Sequence, residues 1–194
     1  MNERVLIIIP VRLGSKRLKH KNILPICNIP MFAYVAHEAM KSKYFPKIYV
    51  STESRKIQEL CKKYKINFIN RPKYLAGDNI EKQEVIIHAF KKLKVKYKPT
   101  IVVSLQVNTP EFNHKDLDKG ITFFKKKLYP KSPIKELISV GKDNIQNAAF
   151  RIMTPSTVCK KTLSTKIGII FTNYLDIHNE KEYKKVKLII EKKN

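Results

Sequence analysis

The chain has 194 residues, 43% of them apolar, which is enough for one buried core and too patterned for a disordered segment. Its formal charge is +24, from 40 basic against 16 acidic residues, yet lysine fills 34 of the basic positions and arginine only six. Nucleic-acid surfaces favour the planar arginine fork, so the lysine excess reads as solvated helix faces and a nucleic-acid-binding module ranks last among the function classes.

Val5 to Val11 is an unbroken apolar run, the pattern of a parallel strand covered on both faces. Ile29 to Lys41 has helical spacing through Met31, Tyr34, Val35 and Ala39, and Lys47 to Ser51 predicts a second strand. Ser54 is placed to cap a helix running to Tyr64, Ile66 to Ile69 predicts a third strand, and Glu81 to Lys94 a helix with Val85, Ile86, Ala89, Phe90 and Leu93 on one face. Thr100 to Leu105 is the fourth strand and Asn113 to Lys127 the next helix, followed by a proline-containing break. The pieces ELISV, AAFRIM and KIGIIF are three further strand candidates, before a closing helix from about Asn179 to Lys192. Strands alternating with helices predict an α/β fold: a three-layer, mostly parallel, Rossmann-like sheet with helices on both faces. We read residues 1–194 as a single domain.

Cys27, Cys61 and Cys159 form an odd set without metal-type spacing, which fits a reducing, cytoplasmic setting. The run after Met-Asn-Glu-Arg is too short for a signal segment, and no apolar stretch approaches ~20 residues, so no membrane contact is expected.

Chemistry concentrates in IIIPVRLGSKRLKHKN, Ile7 to Asn22, where a buried strand opens into a loop holding Arg12, Lys16, Arg17, Lys19 and Lys21 around one glycine, Gly14. No G-x-x-x-x-G-K-[ST] or G-x-G-x-x-G pattern occurs, which excludes the two familiar phosphate loops. One glycine for the turn, Ser15 and several cations can still hold a triphosphate through backbone N–H groups and counter-charge. In a parallel sheet this loop lies beyond the carboxyl ends of the strands, where ligands bind. A solvated basic loop fits the same residues.

This segment resembles the signature loop of the acylneuraminate cytidylyltransferases, I-x-A-R-x-G-S-K-x-x-x-x-K-N, with Arg12, Gly14, Ser15, Lys16, Lys21 and Asn22 in register. YFPKIYVSTES is similar to the family's F-x-x-x-x-V-S-T-D, NRPKYLAGDN to R-P-x-x-L-A-x-D, and VVSLQVNTPEF to L-Q-P-T-S-P, so the likeness covers roughly residues 4 to 125. It implies a nucleotide-diphospho-sugar transferase-like fold and transfer of CMP from CTP to an acidic sugar, a sialic-acid-like nonulosonic or ulosonic acid, with release of pyrophosphate and the help of Mg2+.

By that resemblance Arg12, Lys16 and Lys21 would neutralise the triphosphate, Lys21 near the leaving pyrophosphate, with Asn22 and Arg71 binding cytidine. Gly14, Ser15 and Asp78 complete the nucleotide set, although Asp78 equally suits the N-cap of a helix beginning near Ile80, and Arg71 a loop cap. Gln106, ending a buried strand, and Asn147 are candidates for substrate contact; Lys142 and Arg151 could also hold an acidic acceptor, or all three could be strand-end surface.

The family's metal-binding V-D-I-D segment corresponds here to YLDIHNEKEY: Asp176 matches the first aspartate and His178 stands in place of the second. Asn108 takes the place of a further metal-binding aspartate found in one branch. A histidine and a neutral amide are weaker partners for Mg2+ and leave Mn2+ open; His178 also reads as a surface residue near a helix start. Only GKDNIQ joins ELISV to NAAFRIM, about 141 to 147, where relatives carry a longer segment that shapes the sugar pocket and the dimer contact. A homodimer is therefore expected only with that contact shortened, and a CTP-binding homologue with another acidic acceptor, or none, is the alternative to a full enzyme.

Overall fold

The computed structural model describes residues 3–15, 17–128, 134–141, 147 and 149–193. In chain order they form β1 (Val5–Pro10), β2 (Pro25–Ile26), β3 (Ile29–Pro30), α1 (Met31–Met40), β4 (Lys47–Thr52), α2 (Arg55–Lys63), β5 (Asn67–Asn70) and α3 (Lys82–Tyr97). Then follow β6 (Ile101–Leu105), α4 (His114–Leu128), β7 (Glu136–Val140), β8 (Phe150–Met153), α5 (Pro155–Val158), β9 (Ile167–Phe171) and α6 (Glu180–Glu191).

Seven strands make one sheet in the order β5-β4-β1-β6-β8-β7-β9. Six run in one direction, and β8 lies antiparallel between β6 and β7. The chain steps from β1 outward to β4 and β5, then returns to place β6 on the other side of β1. Neighbouring connections thus diverge at the carboxyl ends of β1 and β6, and a crevice opens there.

The apolar run of β1 has no alternation because both of its faces are covered. Val5, Ile7 and Ile9 pack into the core shared with α1, α2, α4 and α6, whereas Leu6 and Ile8 meet Ile86, Ala89, Phe90 and Leu93 of α3. Ser54 caps α2 by accepting from Ile57 N, as its position predicts. Asn179 caps α6 in a reciprocal box with Glu182. Some features lie outside the predicted elements, among them a 3-10 turn at Lys73–Ala76. Cys27 and Asn28, at φ 46 and 63, turn a two-residue hairpin between β2 and β3 with no glycine to announce it. Thr154 caps the single turn of α5. A 3-10 turn, Lys21–Ile23, closes the basic loop.

Helices α1 and α4 are tied by Glu38, whose carboxylate accepts from the His114 backbone N–H at 3.2 Å and pairs with the His114 ring at 2.7 Å and Lys41 at 2.7 Å. Burial alone would raise the Glu38 pKa, but these hydrogen bonds outweigh it and hold the carboxyl below its ordinary 4.5. A carboxyl depressed in the folded state stabilises above its unfolded pKa and loses that contribution as pH falls through the folded one. Glu38→Gln should therefore lower unfolding free energy by about 1.5 kcal/mol at neutral pH. In urea titrations at successive pH values, the gap from the unaltered chain should close as pH drops below 4.5.

Candidate active site

The crevice at the carboxyl ends of β1 and β6 is a cleft of about 430 Å³. Arg12, Gly14, Ser15, Arg17, Lys21 and Asn22 line it from the basic loop, Arg71 and Leu75 to Asp78 from the segment after β5, Ile80, Lys82 and Val85 from the start of α3, and Gln106 to Asn108 from beyond β6. The 16-residue α3 begins at this space, with Lys82 and Val85 of its first turns on the wall. Cations on three sides and a helix start on one give it the charge an anionic ligand would need.

The loop is shaped by its apolar residues, since Leu13, Leu18, Ile23 and Leu24 pack against the core and leave the polar ones facing the cleft. The Asn22 amide donates to the Arg12 carbonyl at 2.9 Å and straps the two arms of the loop together. Gly14 does not occupy the left-handed region, so the turn does not require it. A Cβ there would meet nothing within 4 Å, so the folded chain sets no steric demand for glycine, and its bare backbone fronts the open cleft.

Of the cations in the cleft, Arg12, Arg71 and Lys21 each have a hydrogen-bond partner among the described residues. Arg12 donates to Asp78 at 2.7 Å. Asp78 is thus not the N-cap of the following helix, because Glu81 holds that position, without a side-chain cap bond. Arg71 is buried, paired with Glu53 through both Nε and Nη2 and donating to the Val11 carbonyl at 3.2 Å. It lies in one wall of the cleft with its charge already matched by Glu53. Lys21 Nζ donates to the Ile177 carbonyl at 2.7 Å. Burial lowers the Lys21 pKa, with Arg17 and Arg12 adding to the effect and Asp176 and Glu182 opposing it. Lys82 is lowered in the same way by enclosure, with Asp176 opposing.

Asp176 sits beside these two lysines. Burial raises its pKa against the pull of His178, Lys21 and Lys82. Its Oδ2 lies 3.2 Å from His178 Nε2, and its Oδ1 is buried without a hydrogen-bond partner among the described residues. The segment carrying it is held at the cleft by Ile177 N–H, which donates to the Asn108 carbonyl at 2.8 Å. The described residues contain no group of three or more His, Cys, Asp or Glu able to form a metal cage. Magnesium needs no such cage, as one or two carboxylates plus waters and substrate phosphates suffice, and the orphaned Asp176 oxygen fits that use.

The structure thus brings together Arg12, Gly14, Ser15, Lys21, Asn22, Arg71, Asp78, Gln106 and Asn108 at the cleft, with Asp176 and His178 at its border. Lys16, Lys142 and most of the short 141–147 join lie outside the described residues. Asn147 does not line the cleft; its amide donates to Thr172 at 2.6 and 3.1 Å and ties the approach to β8 to the end of β9. Arg151 is also removed from any acceptor, paired with the fully buried Glu136 and donating to Gln83 at 2.9 Å. Three participants were not predicted as site residues: Arg17, Lys82 and Glu53. Glu53 was signalled, since an acid just past a buried strand needs a partner; Lys82 is one of 34 lysines and carries no signal of its own.

The cytidylyltransferase family model matches residues 6–163, a span that runs from β1 through α5. The chain belongs to the cytidylyltransferase family. It is 37% identical over 89 residues to an N-acylneuraminate cytidylyltransferase of Escherichia coli, covering 46% of this chain and 21% of that protein. It is 33% identical over 109 residues to a CMP-N,N'-diacetyllegionaminic acid synthase of Campylobacter jejuni, covering 55% and 46%. The chain spans about half the length, or less, of these curated relatives. In fold it is similar to a CMP:2-keto-3-deoxy-manno-octonic acid synthetase solved with CTP, with a TM-score of 0.80 at 12% identity over 98% of this chain and 100% of that one.

Removing one partner of the Arg71–Glu53 pair leaves an uncompensated buried charge. Glu53→Gln should lower unfolding free energy by about 3 kcal/mol, and the double change Glu53→Gln/Arg71→Met should restore most of it, read from urea unfolding midpoints.

Proposed function

We propose that this cytidylyltransferase transfers CMP from CTP to an acidic sugar of the sialic-acid-like nonulosonic or ulosonic class, releasing pyrophosphate. The observation that carries this reading is the convergence of Arg12, Arg17, Lys21 and Lys82 on one cleft at the start of α3. A sugar hydroxyl oxygen would form a bond to the α-phosphorus of CTP as the bond from that phosphorus to the bridging oxygen breaks. Pyrophosphate departs with the electron pair and the hydroxyl proton passes to water. Such a transfer asks the protein mainly for alignment and for positive charge where negative charge develops.

The chain's own groups supply both. Arg12 exchanges Asp78 for phosphate oxygens, Lys21 and Lys82 meet the leaving end from opposite walls, and Lys16 of the same loop adds charge. Asn22 fixes the loop arms, while Leu75, Ile80 and Val85 give an apolar flank against which a base can lie. Gln106 presents an amide at the end of β6 for a substrate hydroxyl. Asp176, with Asn108 nearby, would hold a divalent ion, Mg2+ or Mn2+, which when bound would polarise the phosphates. A second reading, CTP binding with little turnover, rests on His178, which engages the very carboxylate a metal would use.

The decisive assay measures pyrophosphate released from CTP across a panel of nonulosonic and ulosonic acids with Mg2+ or Mn2+. Release with at least one acceptor is expected; CTP binding without release from any acid supports the second reading and defeats the enzyme. Lys21→Ala should reduce turnover by about 10²–10³-fold, and unchanged turnover would remove Lys21 from the reaction.

A further inference from the structure

A second cavity, of about 620 Å³ against 430 Å³ for the cleft, lies at the other end of the sheet, and the two share no lining residue. Val5, at the start of β1, lines this cavity, and Pro10, at the end of the same strand, lines the cleft, so β1 keeps them roughly 17 Å apart. Both walls are tied down by side chains. On one, the Arg4 backbone N–H donates to Thr100 Oγ1 at 3.0 Å, Thr100 Oγ1 donates to Glu3 at 2.7 Å, and Arg4 Nε donates to the Lys98 carbonyl at 2.7 Å, which fastens residues 3–4 to the turn carrying Tyr97 and Pro99. On the other, Asp118 of α4 accepts from Ser42 Oγ at 2.5 Å and from the Lys43 N–H at 3.2 Å, and Tyr44 OH meets Thr122 Oγ1 at 2.8 Å. The space is therefore formed before any ligand arrives.

Phe45, which also lines it, is the anomaly. It is held at φ 45, a conformation that bulky side chains rarely adopt, although it precedes Pro46, which favours extended backbone. It is also 86% exposed, the highest value among the exposed large apolar side chains. Asparagine would suit that backbone better, and a ring in solvent adds nothing to the core. Its neighbours are rings and cations. Tyr44 and Tyr97 line the same cavity, and Lys43 and Lys125 each hold an ammonium 5.5 Å from the Tyr44 ring centroid. With Arg4 and Lys47 the lining has four cations against one acid, Glu3, which Thr100 and Lys125 already engage. That excess excludes a cationic ligand for these rings and calls for one with a flat π-face and a multiply charged anionic tail.

We propose that this cavity is a second ligand site, for a purine nucleoside polyphosphate, which takes no part in the transfer proposed above. The base would lie on Phe45 with the other rings beside it, and the phosphates would draw Lys43 and Lys125 off the Tyr44 ring, joined by Lys47. A purine is favoured because this cavity is larger than the one read as holding CTP and because the larger ring system stacks over more area.

Isothermal titration of the full chain with ATP, without divalent ions in about 0.1 M NaCl, should show a binding event with a Kd below about 1 mM. Phe45→Asn should weaken that event at least tenfold while the unfolding midpoint stays unchanged or rises, since asparagine tolerates the positive φ. Binding and stability would then part company, as a purely structural ring would not allow. Lys21→Ala, in the cleft, should leave the event unaltered. In that Lys21→Ala chain, adenosine and tripolyphosphate, which each offer one half of the ligand, should bind at least tenfold more weakly than ATP, and UTP at least threefold. Four outcomes overturn the proposal: no binding of ATP up to about 5 mM, tripolyphosphate or adenosine as tight as ATP, UTP as tight as ATP, or an event kept in Phe45→Asn and lost in Lys21→Ala.

Discussion

Gathering several cations into one half-enclosed cleft works against folding, since each loses water and each repels the others. The rest of the site follows from how this cost is met. Arg12 takes Asp78, Arg71 takes Glu53, and Lys21 takes the Ile177 carbonyl with Asp176 close by. These partners differ in permanence. The Arg71 pair is buried and serves the architecture, whereas Arg12 and Asp78 are both more than a third exposed, so an arriving anion can take the place of the acid. For the proposed reaction, a product that must leave would call for the second kind of partner at the phosphates and the first kind behind them.

Buried ion pairing is also how the one reversed strand is fixed. Arg151, in the middle of β8, meets fully buried Glu136 of β7, and Gln83 at the start of α3 takes a further guanidinium bond. The same Glu136 accepts from the Ser164 backbone in the segment leading to β9. One carboxylate therefore ties β7 to β8 and to the segment before β9, while its partner Arg151 reaches α3, and a register slip in β8 would strand a charge in the interior. The sequence left Arg151 open to an acidic acceptor or to the strand-end surface because the acid that satisfies it is fifteen residues away, on a neighbouring strand.

What was legible in the sequence was whatever local chemistry determines. The unbroken apolar run of β1, the Ser54 and Asn179 caps and the spacing on α3 each encode their own element. The basic loop was legible because its charges follow a buried strand, where topology leaves a crevice. Long-range pairing was not legible. Asp78 reads locally as a cap and proves to be the partner of a residue 66 positions earlier. The hairpin at Cys27 and Asn28 places ordinary side chains at positive φ, with no glycine to mark it. Lys82 is hidden by abundance, because a composition rich in lysine removes the information a single lysine would carry.

The border formed by Asp176 shows why its half of the site is the harder to read. Four hydrogen bonds to three parts of the chain pin residues 177–179: Ile177 N–H donates to Asn108 O, Lys21 Nζ donates to Ile177 O, and the N–H groups of His178 and Asn179 both donate to the Glu182 carboxylate. The capping box of α6 thereby orients a segment that the basic loop and the end of β6 hold from the other side. Asp176 gains its position beside two lysines from that clamp, and its raised pKa follows from the burial the clamp imposes. A carboxylate in such a place binds a proton, an imidazole or a divalent ion according to which is supplied. Nucleotide phosphates entering the cleft would draw Lys21 and Lys82 toward themselves and leave Asp176 with less compensating charge, so arrival of the anion itself strengthens the demand for a cation at this carboxylate.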